Sequence, residues 1–568
     1  MSVDLKKYFR SNWQIIILSF LSIVFLFTYS WFSFVTTQDG EVRFASPDGT
    51  ANYFWAQRYA QGEELFYFEE LNIVANDVVV PRSVRSDNGV VKPASFLGII
   101  LIYGFLGKIF GSWIIIYLTP LFTVLGVLFF YGIVKRVFTK KIAFISALML
   151  LALAPYWYYT SRSMFHNVLF IDLVLAGVWF WLNSTRIQQI KRIRTDFIFA
   201  FLAGIFIGLA IITRTSELIW LLPVILIAWI FYFKEIKWEK LFLFLCGIFL
   251  ALMPMLYYNQ VLYGGMLKFG YGASQDNLSS MSTLDNKVLD VGGGTRARSF
   301  AQDKISKFLP ADINIRQAGK SFIYYYVVMF WYLFLPAFFG GIWFLFNWKK
   351  HEKKDWLYFS SFVIISVILV LYYGSWEIHD NPNKSSVTIG NSYTRYFLPM
   401  YIMSIPLAVL FFRYLAQIIK NRYLNRYLIN SISVVLLLIF FTLNFQATIF
   451  AKEEGLISMK EGIEINKIRT EHIMSLVEED AIIISERFDK FFWFDRKVIT
   501  GNFTDKEHNK EYVKLIEQDV PVYYYGFIFP EIDINYLNNK RLKEFGLQII
   551  AVELDEIDGL GLYRLQSY

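Results

Sequence analysis

The sequence predicts a polytopic α-helical membrane protein that ends in a soluble α/β domain. Three observations carry that reading. Of 568 residues 56% are hydrophobic and only 18% charged, which lies outside the usual soluble range. Apolar runs long enough to cross a bilayer recur along most of the chain. After residue 450 the charge balance reverses, to 15 Lys plus Arg against 23 Asp plus Glu, where the preceding part has 40 against 24.

The first apolar run, 13–35, follows Lys6, Lys7 and Arg10. It is too long for a signal-peptide core and no small-residue cleavage site follows it, so it reads as an uncleaved anchor. Basic loops at 135–141, 186–194, 234–240, 349–354 and 420–426, placed on the cytoplasmic side, fit one topology. It has about eleven transmembrane helices, near 13–35, 112–134, 142–160, 166–183, 197–212, 217–233, 241–259, 322–347, 356–374, 395–415 and 428–450. The protein is then multi-pass in the cell membrane, with a cytoplasmic N-terminus and an extracytoplasmic C-terminal domain. One further apolar segment, 94–111, would invert every later loop if it crossed. It is therefore placed in the first external loop as an interfacial or re-entrant helix, a reading its glycines and Lys108 support.

Two domains follow. Residues 1–450 form the membrane domain, with external loops at 36–111 and 260–320, and 451–568 form an accessory α/β domain. In the latter an amphipathic helix near 461–479 alternates with β-rich runs at 481–485, 520–525 and 548–552. Several function classes are excluded or disfavoured. The single cysteine, Cys246, lies in an apolar run and allows no intrachain disulfide. The net charge of +8 is spread over short loops, which argues against a nucleic-acid partner. No internal repeat supports a transporter, and the polar mass sits on one side. GGGTRAR at 292–298 lacks the flanking strand and helix of a phosphate loop.

Chemistry concentrates where the first loop begins. Asp48 lies between Pro47 and Gly49, and the helix after it presents Ala51, Phe54, Trp55 and Tyr59 on one face at helical spacing. That face is expected on the bilayer surface. An aspartate here serves either as a helix cap or as a general base; Asp39 is a rival carboxylate with no helix organised behind it. An external transferase cannot draw on nucleotide sugars and needs cations for a lipid-phosphate leaving group. Arg395 begins an external span end and its guanidinium holds two phosphate oxygens. Arg214 and Arg162, also at external span ends, are further phosphate-binding candidates, each weighed against an arginine that merely snorkels to the interface. His166, Asn167, Tyr271 and Tyr396 are candidate substrate contacts, weighed against local hydrogen bonding and the interfacial aromatic belt.

These elements stand in a familiar order. Pro47-Asp48 follows the first span, Lys92-Pro93 precedes an apolar helix ending at 108–111, and then come SRSMFHN at 161–167, TRTSEL at 213–218, NQVLYGGMLKFGY at 259–271 and SYTRYFLP at 392–399. In this the chain resembles the GT-C membrane glycosyltransferases that use polyprenyl-phosphate sugars, a superfamily that includes protein O-mannosyltransferases and lipid A aminoarabinose transferases. The resemblance covers nearly all of the membrane part. It implies a GT-C fold, transfer of a sugar from a polyprenyl-phosphate donor to an acceptor hydroxyl with inversion, Asp48 as general base, and Lys92 against the lipid phosphate. The acceptor is protein, lipid or glycan.

Two positions depart from the family pattern. Gly49 stands where many relatives carry glutamate, and Val91 where the aminoarabinose transferases often place glutamate before Lys-Pro. SRSMFHN also lacks the acidic pair of metal-dependent oligosaccharyltransferases. No metal or cofactor is therefore expected, the lipid-phosphate sugar being a substrate. The alternative function is a transporter or flippase of lipid-linked sugars, which would need no base.

Overall fold

The computed structural model describes residues 5–184, 193–270, 313–378, 380–381, 383, 386–420 and 426–568. Its residues group into two compact units. One comprises Met1–Phe32, Tyr117–Met253 and Leu289–Ser458; the other comprises Ser33–Ile116, Pro254–Val288 and Met459–Tyr568. The sequence-based division at 450/451 follows chain order, whereas the compact units put the C-terminal tail together with the loop after the first span.

Apolar helices dominate, as the composition requires. Among the described residues eight are long and apolar enough to cross a membrane by length and composition, and up to ten when each of two bent pairs counts as one span. Each of the eleven expected spans coincides with helix. The last falls on the 24-residue helix Arg426–Ile449.

Two expected spans are not straight. The span at 142–160 is the pair Lys140–Ala152 and Ala154–Arg162, bent by 50°. Leu153 between them is extended, at φ −64° and ψ 117°, and Pro155 sits in the first turn of the second helix, where its missing N–H costs nothing. The freed backbone N–H of Ala154 donates to Asn444 Oδ1 at 2.7 Å, so the break leaves that donor satisfied. The span at 322–347 is Ile315–Val328 and Trp331–Phe346, bent by 101° after a π-helical stretch at Ile323–Val328.

Close helix packing in this unit rests on small residues. A Cβ added to Gly204 would collide with the Phe244 carbonyl, and one on Gly247 with that of Phe201. The helices Ile193–Thr213 and Trp238–Tyr263 thus approach backbone to backbone.

In the other unit, the apolar segment at 94–111 forms a 14-residue helix, Leu97–Phe110. At ~1.5 Å per residue it spans roughly 21 Å, short of a ~30 Å hydrocarbon core. It packs on the helix Pro47–Gln61, where a Cβ on Gly104 would meet Tyr59 Cδ1 at 2.8 Å and the Ala56 carbonyl at 2.9 Å. A three-stranded antiparallel sheet stands between them in sequence, with β1 (Tyr67–Phe68), β2 (Val84–Asp87) and β3 (Val90–Pro93) in the order β1-β3-β2.

The tail is α/β, with a helix at Leu456–Leu476. Its five-stranded sheet has β4 (Ile482–Ile484), β5 (Lys497–Ile499), β6 (Val522–Phe527), β7 (Leu547–Asp555) and β8 (Leu560–Ser567) in the order β5-β4-β6-β8-β7. β4 runs parallel to β5 and β6, while β8 is antiparallel to β6 and β7. Strands β4, β6 and β7 lie on the three expected β-rich runs; β5 and β8 were not expected. The sheet does not close its core alone. Ala75 and Val79, from the loop after the first span, are buried among Ile482, Ile499, Tyr512 and Leu565.

Candidate active site

The candidate residues fall into two groups, one in each unit. The cationic group is built on the turn that carries SRSMFHN. Helix Ala154–Arg162 ends at Ser163 (φ 57°) and Met164 (φ 56°), two consecutive non-glycine residues in the left-handed region, a conformation that persists only where surroundings enforce it. Thr119 Oγ1 supplies the enforcement, accepting from Ser163 Oγ at 3.2 Å and from the Met164 backbone N–H at 3.3 Å. The turn presents Arg162 on one side and Phe165, His166 and Asn167 on the other.

Phe165 is the centre of this group. The guanidinium carbons of Arg162 and Arg395 each lie 5.2 Å from its ring centroid, within cation–π range. Arg162 also donates to Tyr158 OH at 3.0 Å, and Arg395 to Ser392 Oγ at 2.9 Å. Tyr396 links in the third arginine: its ring lies 5.3 Å from the guanidinium of Arg395 and 4.9 Å from that of Arg214, and it stacks on Tyr373 at 4.4 Å.

Arg214 is held by several groups at once. Its Nε meets Glu217 Oε1 at 2.6 Å, Nη1 donates to Asn167 Oδ1 at 3.0 Å and Nη2 to Tyr373 OH at 3.2 Å. Tyr373 in turn donates to Glu217 Oε1 at 2.7 Å, and Trp220 Nε1 donates to the other Glu217 oxygen. Such a buried pair is satisfied on every side, so its charge is spent locally. Asn167 spans the group, accepting from Arg214 and donating to the Arg395 carbonyl at 3.3 Å. His166 and Asn167 are both buried. Glu217 was not singled out from sequence; an acidic residue three positions after an arginine at a span end was the available signal.

The second group surrounds Asp48. Ser46, not Asp48, is the N-cap of helix Pro47–Gln61, and the Ser46 side chain makes no capping bond. Asp48 lies in the first turn, where the helix dipole favours a carboxylate. Its Oδ1 accepts from Ser83 Oγ at 2.7 Å, and Ser83 is itself left-handed at φ 64°.

Lys92, in β3, is buried. Its ammonium contacts Asp87 Oδ2 at 2.7 Å and donates to the Leu262 carbonyl at 2.6 Å. Asp87 also binds Arg85, at 2.5 and 2.6 Å. Partial burial pushes the Asp87 carboxyl up, but the hydrogen bonds and charges of Arg85 and Lys92 outweigh it and hold it below the usual aspartate value.

Two expectations change here. The face of Ala51, Phe54, Trp55 and Tyr59, expected on the bilayer surface, is covered by protein. Ala51 and Trp55 are buried, the Phe54 ring lies 4.2 Å from Trp493, and Trp55 stacks on Tyr67. Aromatic residues on a helix face signal burial without saying against what. Asp39, the rival carboxylate, is committed elsewhere: both its oxygens accept from Lys467 Nζ, at 2.8 and 2.7 Å. Tyr271 lies outside the described residues. Among the described residues no three His, Cys, Asp or Glu side chains converge to hold a metal ion.

Comparison with known proteins identifies the fold. Residues 94–258, which carry Arg162, His166, Asn167 and Arg214, match the family model described as dolichyl-phosphate-mannose-protein mannosyltransferase. The apo crystal structure of ArnT from Cupriavidus metallidurans is similar at TM-score 0.51 and 11% identity, covering 98% of each chain. The Archaeoglobus fulgidus oligosaccharyltransferase in complex with Zn and sulfate is similar at TM-score 0.53 and 11% identity, covering 98% of this chain and 73% of that one. The same oligosaccharyltransferase tethered with an acceptor peptide gives 0.50, at 11% identity over 94% and 70% of the two chains. The chain has the GT-C fold. With the mannosyltransferase match across the segment that bears most of the cationic group, it is a membrane glycosyltransferase. No curated protein matches the sequence significantly.

Proposed function

We propose that this GT-C protein transfers a sugar from a polyprenyl-phosphate carrier to an acceptor hydroxyl at the external membrane face, with inversion. The observation that carries the reading is the grouping of Arg162, Arg214 and Arg395 around Phe165 and Tyr396. Aromatic faces hold guanidiniums close together, and a phosphate group is the anion that such a cluster suits. The description of the matched family, which names a dolichyl-phosphate sugar, supports the same donor class.

In the reaction, the acceptor oxygen attacks the anomeric carbon while the bond from that carbon to the phosphate oxygen breaks. Asp48 takes the hydroxyl proton, and the phosphate leaves with the bonding electrons, its charge met by Arg395 and Arg162. Arg214, already paired with Glu217, fixes the Asn167 amide and the Tyr396 ring beside them. Residues 1–450 are assigned the transfer domain and 451–568 a domain that supports it. Membranes carrying the protein, supplied with polyprenyl-phosphate mannose and a panel of other polyprenyl-phosphate sugars, test this. Asp48→Asn should lower transfer by about 10²- to 10⁴-fold with donor binding kept. Full transfer by that variant would reject the assignment and favour lipid transport.

A further inference from the structure

The tail carries a buried carboxylate that the reaction above does not use. Asp489, in the short helix Asp489–Phe492, has no solvent exposure. A buried charge of this kind persists only with a full set of partners, and here they come almost entirely from one residue far away in sequence, Arg82. The Arg82 backbone N–H donates to Asp489 Oδ2 at 2.9 Å, Nε to Oδ1 at 3.1 Å, and Nη2 to Oδ1 at 2.6 Å. Arg82 Nη2 also donates to the Arg487 carbonyl at 3.0 Å. Two residues earlier, the Val80 carbonyl accepts from both the backbone N–H and Oγ1 of Thr500, each at 3.3 Å, and Val79 is buried in the tail's own core.

The segment 79–82 is therefore fixed at backbone and side chain by the tail. The residue that follows is Ser83, whose φ of 64° is a costly conformation for a side chain other than glycine, asparagine or aspartate. Its hydroxyl is the donor to Asp48 Oδ1. On the other side, Ser83 is held by its carbonyl accepting from the Ala94 N–H at 3.3 Å.

We infer that Asp489 and Arg82 are positioning residues for Asp48: the buried Asp489–Arg82 clamp enforces the left-handed Ser83, and Ser83 orients the Asp48 carboxylate. This rests on Asp48 acting as the base. The geometry makes the tail a working part of the reaction centre, because the only link in the series that touches Asp48 is set by a carboxylate some 400 positions downstream. A hydrogen bond from Ser83 to one carboxylate oxygen fixes the plane in which the Asp48 carboxylate lies. Loss of the bond should act on turnover, since neither Ser83 nor Asp489 is assigned a contact with the donor.

The test uses the full chain in lipid nanodiscs, with thermal unfolding measured on each variant. Ser83→Ala, at a partly exposed position, and Asp489→Asn should each lower kcat about tenfold with KM for polyprenyl-phosphate mannose unchanged. The double variant should fall no further than the worse single one, because both act through one chain of contacts. Ser83→Ala turning over at the wild-type rate, in a protein whose Asp48→Asn variant is inactive, would overturn the inference. So would multiplicative losses in the double variant, or losses that appear in KM alone. An active Asp48→Asn would instead reject the base assignment on which it stands.

Discussion

At the scale of single residues, the three arginines differ in what surrounds them, and that difference sets what each can do. Arg214 is an internal tie, its charge matched by Glu217 at 2.6 Å. Arg162 and Arg395 share the face of Phe165, which favours cations by its quadrupole. In the proposed reaction both meet the donor phosphate. Arg395→Lys keeps the charge and loses the planar fork, so donor KM should rise by about tenfold or more while kcat changes less. Steady-state kinetics with varied polyprenyl-phosphate mannose would check this, and an unchanged KM would move the phosphate away from Arg395. Charged residues at span ends were readable in the sequence. The pairing of Arg214 was not, because Glu217, Asn167 and Tyr373 meet it only after three helices have packed.

At the scale of elements, the hairpin β2–β3 shows how local charge is managed beside Asp48. Register places Arg85 opposite Lys92, a like-charge pair that is unfavourable on its own. Asp87 bridges the two, and their hydrogen bonds and charges depress its titration despite the opposing effect of burial. A carboxylate with a depressed folded value stabilises the fold above its unfolded value, near pH ~3.9, and loses that contribution as pH falls through the lower folded value. Asp87→Asn should therefore unfold at a lower temperature than the wild type at pH 7, with the gap closing as pH drops below about 4. Parallel melting curves across that window would check the sign.

Elements were legible in proportion to their local signal. Long apolar runs located helix at each of the eleven expected spans, and β-branched runs located β4, β6 and β7. The 101° bend before Trp331 carries no proline or glycine at the break, and the exposed Lys497 at the start of β5 hides a strand of three residues. Only tertiary packing specifies both.

At the scale of the whole molecule, the tail packs with a segment far away in sequence. Composition sets 451–568 apart, but its sheet buries Ala75 and Val79 from the loop after the first span, and Lys467, itself buried, closes on the Thr36 carbonyl at 2.7 Å, the Glu41 carbonyl at 2.9 Å and both oxygens of Asp39. Expressed alone, 451–568 would lack those apolar contacts and would leave Asp489 without Arg82, a loss of roughly 3–5 kcal/mol for a buried carboxylate stripped of its partner. The isolated tail should therefore be poorly folded, with broad amide dispersion absent and rapid proteolysis. Asp489→Asn then acts with opposite signs in the two settings. In the isolated tail it removes the uncompensated charge and should raise stability; in the full chain it breaks a satisfied ion pair and should lower the melting temperature. Proteolysis half-lives of the isolated tail and melting of the full chain, each with and without the substitution, would show whether that sign reverses. A tail that folds well alone, with no gain from Asp489→Asn, would mean that its stability owes nothing to the loop it encloses.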